Sequence, residues 1–319
     1  MGRYILKRLL ESVPVLAGIS IITFLVIRLA PGDPAALLYD MSQLSPQQQE
    51  AIRRAMGLED PLWVQYGSLM GSLLTGQLLS MRLHVPTLQL VADAAPVTLT
   101  LAALTLFVGI VLGLAFGVWS ALRANTVTDD VLTVGTLLGL SLPQFWVGLM
   151  LVYFLAETLR WLPAAGIAPP GQAPGGPLEI LPYLIMPTVA LSSGIVAAMT
   201  RYVRSGMLET LGQDFVRTAR AKGLSEQAVV LGHALRHSLI TVVSLLGVLI
   251  PILLGGAVVV ENVFALPGIG QLAVNAAMGR DYPVVMTVNL IAAGLVIVSN
   301  LAADVAYGVV DPRIRIAGS

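Results

Sequence analysis

The chain has 319 residues, of which 56% are hydrophobic and only 11% are charged. Soluble domains average about 25% charged residues, so a chain this apolar cannot cover a globular surface with polar groups and must face lipid. The absence of cysteine excludes disulfide scaffolds, iron–sulfur clusters and cysteine nucleophiles. The formal net charge of zero provides no overall field for binding nucleic acid. The composition therefore predicts a polytopic membrane protein.

Six apolar stretches are long enough to cross a bilayer, which takes about 20 residues per helix. The predicted spans cover residues 9–30, 96–122, 131–156, 181–202, 239–260 and 284–310. The first stretch is not expected to be a cleaved signal peptide, because its apolar run is too long and no small-x-small cleavage site follows it. With the N-terminus inside, twelve of the 18 Lys and Arg residues fall on the cytoplasmic side and six on the outer side. This excess, and the even number of spans, predict that both termini are cytoplasmic.

Two outer loops follow from these spans. The first, residues 31–95, contains two predicted short helices. One begins with Ser45 as N-cap and Pro46 at the first helical position. The other covers residues 61–74 and is amphipathic enough to lie on a membrane surface or to cover the outer mouth. The second loop, residues 162–177, is rich in Pro, Gly and Ala and is predicted to lack regular structure.

Motifs for catalysis or metal binding are missing from the sequence. A P-loop needs a Gly-Lys-Ser/Thr sequence, and neither Lys7 nor Lys222 has it, so the chain is not a P-loop ATPase by itself. His233 and His237 are four residues apart, but the glutamate of a HExxH zinc motif does not follow His233, so both are expected to hydrogen-bond locally. The GxSxG motif of serine hydrolases is absent. We therefore expect no metal site and no enzymatic activity.

Ionisable residues at membrane depth are costly and suggest a function. Glu11 lies one turn into the first span, where Lys7 or Arg8 can neutralise it. Glu261 lies at the outer end of the fifth span, and Asp304 lies within the last span. For Glu261 and Asp304, structural hydrogen bonding is the favoured interpretation and a role in transport the alternative.

Small residues recur at four-residue spacing in the second span, at Gly109, Gly113 and Gly117. This spacing places the three glycines on one helix face and predicts that a neighbouring helix approaches closely. Packing is a sufficient explanation, and the pattern carries no information about a substrate.

The cytoplasmic loop between the fourth and fifth spans reads QDFVRTARAKGLSEQAVVLGHALRHSL, residues 213–239. Residues 215–222 are good helix formers, Gly223 stops that helix, and Ser225 can cap the next one. The loop is therefore predicted as two short helices that meet at Gly223 and project from the bilayer. The positive-inside rule explains the basic charges but not a rigid helix–Gly–helix element.

This sequence resembles the integral membrane permeases of ABC importers. The resemblance is to the branch that handles dipeptides, oligopeptides and nickel, and within that branch to the first of its two permease subunits. Residues 217–225 (RTARAKGLS) look like that branch's version of the EAA loop, and HALR at 233–236 looks like its continuation. The sequence departs from the family pattern in having Arg217 where the EAA consensus begins with Glu, and Thr241 where a proline is common. The other matching segments are MGRYILKRLL (1–10), APGDP (30–34), SLPQFW (141–146), ENVFALPGIG (261–270), RDYP (280–283) and DPRIR (311–315).

The resemblance implies an all-α type I ABC importer permease with six transmembrane helices. Residues 1–95 would form an N-terminal helix and a long outer loop, and residues 96–313 the transmembrane domain, with the coupling loop at about 205–238. In this family the loop docks into a groove on a separate ATPase subunit, so Ala219 and Gly223 would be small because the groove approaches closely. Glu261, Pro267 and Gly268 would lie at an outer gate. The implied coupling residues are Arg217, Thr218, Ala219, Arg220, Ala221, Lys222, Gly223, Leu224 and His233. The basic residues Arg217, Arg220 and Lys222 would pair with acidic or carbonyl groups of the ATPase.

The implied partners are a second homologous permease, two ATPase subunits that bind ATP and Mg²⁺, and an extracytoplasmic binding protein that delivers the substrate. The chain itself would hold no cofactor, bind no nucleic acid, and lie among the lipids of a bacterial or archaeal plasma membrane. Peptides are the first choice of substrate, and nickel or glutathione are the alternatives. An ion-coupled secondary transporter is disfavoured, because deep ionisable residues and an inverted repeat are not evident in the sequence.

Overall fold

The computed structural model describes residues 2–29, 44–55 and 57–310, and for residues 2–4, 177, 233, 237–241, 243, 244, 246 and 306–310 it describes the backbone alone. The described residues form helices joined by loops, with one isolated β-bridge between Leu79 and Pro86. They include two π-helical segments: Val152–Thr158 directly follows the α-helix that ends at Leu151, and Val229–Leu235 directly precedes the α-helix that begins at Arg236. The α-helices are α1 (Gly2–Leu29), α2 (Pro46–Ala55), α3 (Leu62–Leu74), α4 (Thr87–Leu122), α5 (Val127–Ser141), α6 (Gln144–Leu151), α7 (Pro177–Leu211), α8 (Asp214–Ala221), α9 (Glu226–Ala228), α10 (Arg236–Val263), α11 (Ile269–Met278) and α12 (Tyr282–Val310).

Within the described residues, four helical stretches are long and apolar enough to cross a membrane: Ile5–Leu29, Thr87–Leu122, Leu178–Leu211 and Tyr282–Val305. A fifth span results if α5 and the stretch Gln144–Thr158 are counted together. The helix α10 has 28 residues, or about 42 Å at 1.5 Å per residue, and its part Gly247–Val263 is an apolar helix below the length of the other spans. In chain order, these elements lie where the six spans were predicted.

The third predicted span, residues 131–156, is not one straight helix. The chain bends by 103° between α5 and the stretch that begins at Gln144. Pro143 lacks a backbone N–H and disfavours helical geometry in the preceding residue, and Leu142 is accordingly extended, with φ −82° and ψ 130°. The prediction of a continuous span was wrong on this point, although the proline that breaks the helix is visible in the sequence.

The predicted features of the outer loops are present where the structure describes them. The hydroxyl of Ser45 accepts the N–H of Gln48 at 3.3 Å, and the Gln48 side chain accepts the N–H of Ser45 at 2.9 Å, which forms a capping box at the start of α2. Helix α3 covers the second predicted helix, and residues 160–176 contain neither helix nor strand. The segments APGDP (30–34) and DPRIR (311–315) lie outside the described residues.

The chain divides into two compact units. The first combines residues up to Thr98 with Pro267–Ile297. Within it, Ser20 of α1 and Tyr66 of α3 share a hydrogen bond of 2.6 Å. A further hydrogen bond of 2.8 Å joins Thr287 to Thr87. The core of this unit joins α4, α11 and α12 through Val91, Ala94, Ile269, Ala276, Val284 and Val288.

A buried carboxylate in the first unit holds the turn that precedes α4. Asp281, next to the first residue of α12, accepts the backbone N–H groups of Met81 and Arg82 at 3.1 and 3.3 Å, and also the hydroxyl of Ser80. Three donors on one short turn therefore converge on a single side chain about 200 residues away in sequence. This contact assigns a structural role to the aspartate of the RDYP segment.

The second unit comprises Leu99–Leu266 and the chain from Val298 onward. Helix α7 packs against α5, α6 and α10 within it. The three glycines of α4 face α7, and a Cβ at each of them would lie 2.4–2.6 Å from a side-chain atom of α7. The predicted close approach is confirmed, because only hydrogen fits in that space. The facing pairs are Gly109 with Ile195, Gly113 with Met199, and Gly117 with Val203.

Candidate functional site

The loop predicted to couple the chain to an ATPase forms a helical elbow, here defined as residues 214–229. Helix α8 ends at Ala221, and Gly223 takes φ +80°, a left-handed conformation that glycine adopts without strain. The N–H of Gly223 donates to the carbonyl of Arg220 at 2.9 Å, which closes the end of the helix. The hydroxyl of Ser225 then accepts the N–H of Ala228 at 3.3 Å and caps α9. The predicted end of the first helix before Gly223 and the cap at Ser225 are confirmed.

The second arm of the elbow differs from the prediction of a separate short helix. Helix α9, the π-helical segment Val229–Leu235 and α10 follow one another without a break. The sequence has no proline between Ser225 and Pro251, so every residue of this stretch can donate its N–H to the helix. The second arm of the elbow is therefore joined to α10 by continuous helical backbone.

The elbow has a small apolar core of its own. Val216, Ala219 and Val229 are buried together, and Leu211 at the end of α7 packs against them. This core joins α7 to both arms of the elbow. Ala219 is only 5% exposed, so packing within the chain explains its small size without a partner's groove.

The three basic residues of the elbow have different surroundings. Arg220 makes a bidentate contact with Glu226 across the bend, from Nε to Oε1 at 2.8 Å and from Nη2 to Oε2 at 3.3 Å. Arg217 has only a long contact of 3.5 Å with the exposed Asp214, and Lys222 is exposed. Arg220 therefore closes the elbow, whereas Arg217 and Lys222 direct positive charge toward solvent.

Two apolar side chains project from the elbow. Phe215 is 45% exposed and Leu224 is 44% exposed. The predicted coupling residues included Leu224 but not Phe215. In the sequence, an aromatic residue at the start of a mostly polar helix could have indicated an exposed contact residue. Large exposed apolar groups beside basic ones are typical of a protein–protein contact. Thr218 donates its hydroxyl to the carbonyl of Asp214 at 2.9 Å, Ala221 is exposed, and the side chain of His233 lies outside the described part.

The residues predicted for an outer gate fall at a real helix break. Helix α10 ends at Val263 and α11 begins at Ile269. Glu261 is completely buried within the second unit, while Pro267 is exposed and Gly268 is buried, both in the first unit. The gating role of these residues stays a prediction.

Two further predictions concern charged side chains. Asp304 is partly buried in α12. Glu11 lies 3.9 Å from the Nζ of Lys7 and 4.0 Å from the Nη1 of Arg8, as predicted. Among the described residues, no group of three His, Cys, Asp or Glu side chains is arranged to hold a metal ion.

The described residues are mainly helical and include several helices long and apolar enough to cross a membrane, which defines a multi-pass membrane protein. Residues 109–316 match the family described as the binding-protein-dependent transport system inner membrane component, and residues 1–102 match its N-terminal region. The chain belongs to this family. Its members are the membrane permeases of ABC transporters, whose ATPase is a separate subunit, so the chain itself is not an enzyme.

Relatives match along the whole chain. The oligopeptide transport system permease protein AppB of Bacillus subtilis is 39% identical over 317 residues, which cover 99% of this chain and 100% of that protein. The Probable peptide ABC transporter permease protein y4tP of Sinorhizobium fredii is 39% identical over 316 residues, covering 99% of this chain and 100% of that protein.

A solved structure shows the fold. It is a chain of the MetNI methionine ABC transporter in inward facing conformations, with a TM-score of 0.58 and 20% identity, covering 71% of this chain and 98% of that one. The fold is that of a type I ABC importer permease.

Proposed function

We propose that the chain is the permease subunit of an ATP-driven importer that carries di- or oligopeptides across the plasma membrane. The observation that carries the substrate class is the 39% identity, over the full length, to permeases named for oligopeptide and peptide transport. The similarity includes the N-terminal region as well as the transmembrane region, since both family segments match.

The elbow receives the motion of a separate ATPase subunit. Exposed Phe215 and Leu224 would be the apolar anchors of that contact, and Arg217 and Lys222 its charged contacts. The elbow is rigid because a buried core and the Arg220–Glu226 contact hold its arms together. Rigidity supports the role, because a flexible loop would absorb a displacement instead of passing it to α10.

The partners in this proposal are a second homologous permease, two ATPase subunits that bind ATP and Mg²⁺, and an extracytoplasmic binding protein. Both chain termini lie in the cytoplasm, as the distribution of basic residues predicts. Glu261, Pro267 and Gly268 belong to the outer gate, which the helix break between α10 and α11 supports. Asp304 is assigned to hydrogen bonding within the transmembrane region.

The test is uptake of a labelled dipeptide by native cells that lack this chain and by the same cells with the chain restored. Uptake that is lost and then rescued, with unchanged nickel uptake in parallel, is the expected result. A change in nickel uptake alone would overturn the peptide assignment and move it to nickel. If neither uptake changes, the substrate belongs to another class, and the subunits that co-purify with the chain should be identified next.

A further inference from the structure

An ion pair with a buried carboxylate joins the beginning of α5 to α7. The side chain of Asp129, in the first turn of α5, is 4% exposed, and that of Arg204 on α7 is 31% exposed. The Nε of Arg204 donates to Oδ1 at 2.7 Å and its Nη2 donates to Oδ2 at 2.6 Å, so the contact is bidentate. Asp129 also accepts the hydroxyl of Ser120 on α4 and the N–H of Asn125 at 3.0 Å. We call these four residues the brace.

The brace is specific in its geometry. Asp129 accepts four hydrogen bonds from three different parts of the chain: the end of α4, the turn after it, and α7. A carboxylate is the side chain that can accept all four, and a guanidinium is the one that can donate two parallel bonds to it. Since an ion pair withdrawn from water adds little net stability compared with well-packed apolar residues, the geometry of the brace is more informative than its contribution to stability.

The position of the brace connects it with the elbow. Arg204 lies seven residues before Leu211 on the continuous helix α7, a separation of about 10 Å along the axis. Leu211 packs into the core of the elbow. On the other side, α5 runs from Asp129 to Ser141, directly before the 103° bend of the third predicted span. The brace therefore lies between the elbow and the broken span.

Close packing extends the connection along α7. A Cβ at Gly117 of α4 would lie 2.6 Å from Val203, the neighbour of Arg204 in sequence. A Cβ at Gly139 of α5 would lie 3.2 Å from the carbonyl oxygen of Ser193. Helix α7 thus packs against α4 and α5 at near-backbone distance, and the brace joins the same three helices at the end nearest the elbow.

We propose that the brace makes α5 follow α7 when an ATPase displaces the elbow, so that the displacement reaches the bend at Leu142–Pro143. In this proposal Asp129 and Arg204 are positioning residues, because their effect passes through the helices that they join. The inference rests on the ATP-driven coupling proposed above. It adds a second route out of the elbow, through α7 and α5, to the direct route through α10.

The experiment measures the distance between α5 and the end of α7 in the assembled complex. Since the chain has no cysteine, spin labels can be placed at Val131→Cys on α5 and Glu209→Cys on α7, with the partner subunits also made free of cysteine. Both positions are exposed. With the brace intact, pulsed EPR should give the same narrow distance without nucleotide and with trapped ATP. In Asp129→Asn the distribution should broaden and its mean should shift between the two states by about 2 Å or more.

The second readout is the amount of dipeptide transported per ATP hydrolysed. Asp129→Asn should lower this ratio by about tenfold while ATP hydrolysis continues, which is in the range by which residues between two sites change their coupling. Asp130→Asn is the matched control, because Asp130 is the adjacent exposed carboxylate, and it should change neither readout. If Asp129→Asn does not assemble, Arg204→Lys takes its place, since it keeps the charge but loses the bidentate geometry.

An unchanged ratio and an unchanged distance in an assembled variant would overturn the proposal. So would a state-dependent distance in the chain with the intact brace, or a failure of both variants to assemble, which would assign the pair to folding alone. A failure of the proposed function gives a different result. In that case dipeptide uptake is the same in cells that lack the chain and in cells that carry it with the intact brace.

Discussion

Replacing Gly223 separates the two reasons for a glycine at the bend of the elbow. The first reason is backbone conformation, since φ is +80° and a residue with a side chain adopts that region at a cost of about 1–2 kcal/mol. The second reason, which the family resemblance implies, is a closely approaching partner. Within the described chain no atom lies within 4 Å of a Cβ at Gly223, so the chain itself leaves space for a side chain.

The elbow can absorb the backbone cost. The strain of about 1–2 kcal/mol is confined to one exposed residue, and the buried Val216 and Val229 lie elsewhere in the elbow. Gly223→Ala should therefore keep the elbow folded and transport near the original rate. Gly223→Asn should behave the same way, because asparagine tolerates the left-handed region. Gly223→Trp carries the same backbone strain but adds bulk, and it should abolish transport.

The assay is dipeptide uptake by cells that carry each variant, normalised to the amount of the chain in the membrane. The comparison of Trp with Ala removes the backbone contribution, so any further loss with Trp reports the surface of a partner. Equal uptake by the Trp and Ala variants would refute close docking at this position. Loss of uptake in all three variants would mean that backbone strain alone explains the glycine.

Three further predictions concern packing, docking and the outer turn. Gly113→Ala should lower the melting temperature of the purified complex, because the overpacking it introduces against α7 costs about 1–3 kcal/mol. Gly135→Ala, with no described atom within 4 Å, should not lower it, and equal melting temperatures would contradict this reasoning. Arg217→Glu combined with Lys222→Glu should reduce the ATPase content of the purified complex, and an undiminished content would rule out their docking role. Asp281→Asn should speed tryptic cleavage within residues 80–83, and unchanged cleavage would show that the turn is held by other contacts.

The sequence alone determined the features that depend on neighbouring residues. Membrane spans follow from the length of apolar runs, and the capping box at Ser45 follows from residues three apart. The end of α8 at Gly223 follows from the backbone freedom of glycine. The break at Pro143 belongs to the same class, since a proline inside an apolar run carries the signal in one residue.

Only the tertiary structure decided which distant side chains meet. Asp129 and Arg204 are 75 residues apart, and the sequence offers several other basic partners at similar distances. The pairing of Asp281 with Ser80, and the burial of Ala219 inside the elbow, likewise depend on how the helices pack. Local propensity and hydrophobic periodicity identify an element and its buried face, whereas the choice of a partner depends on the crossing of helices that no short segment specifies.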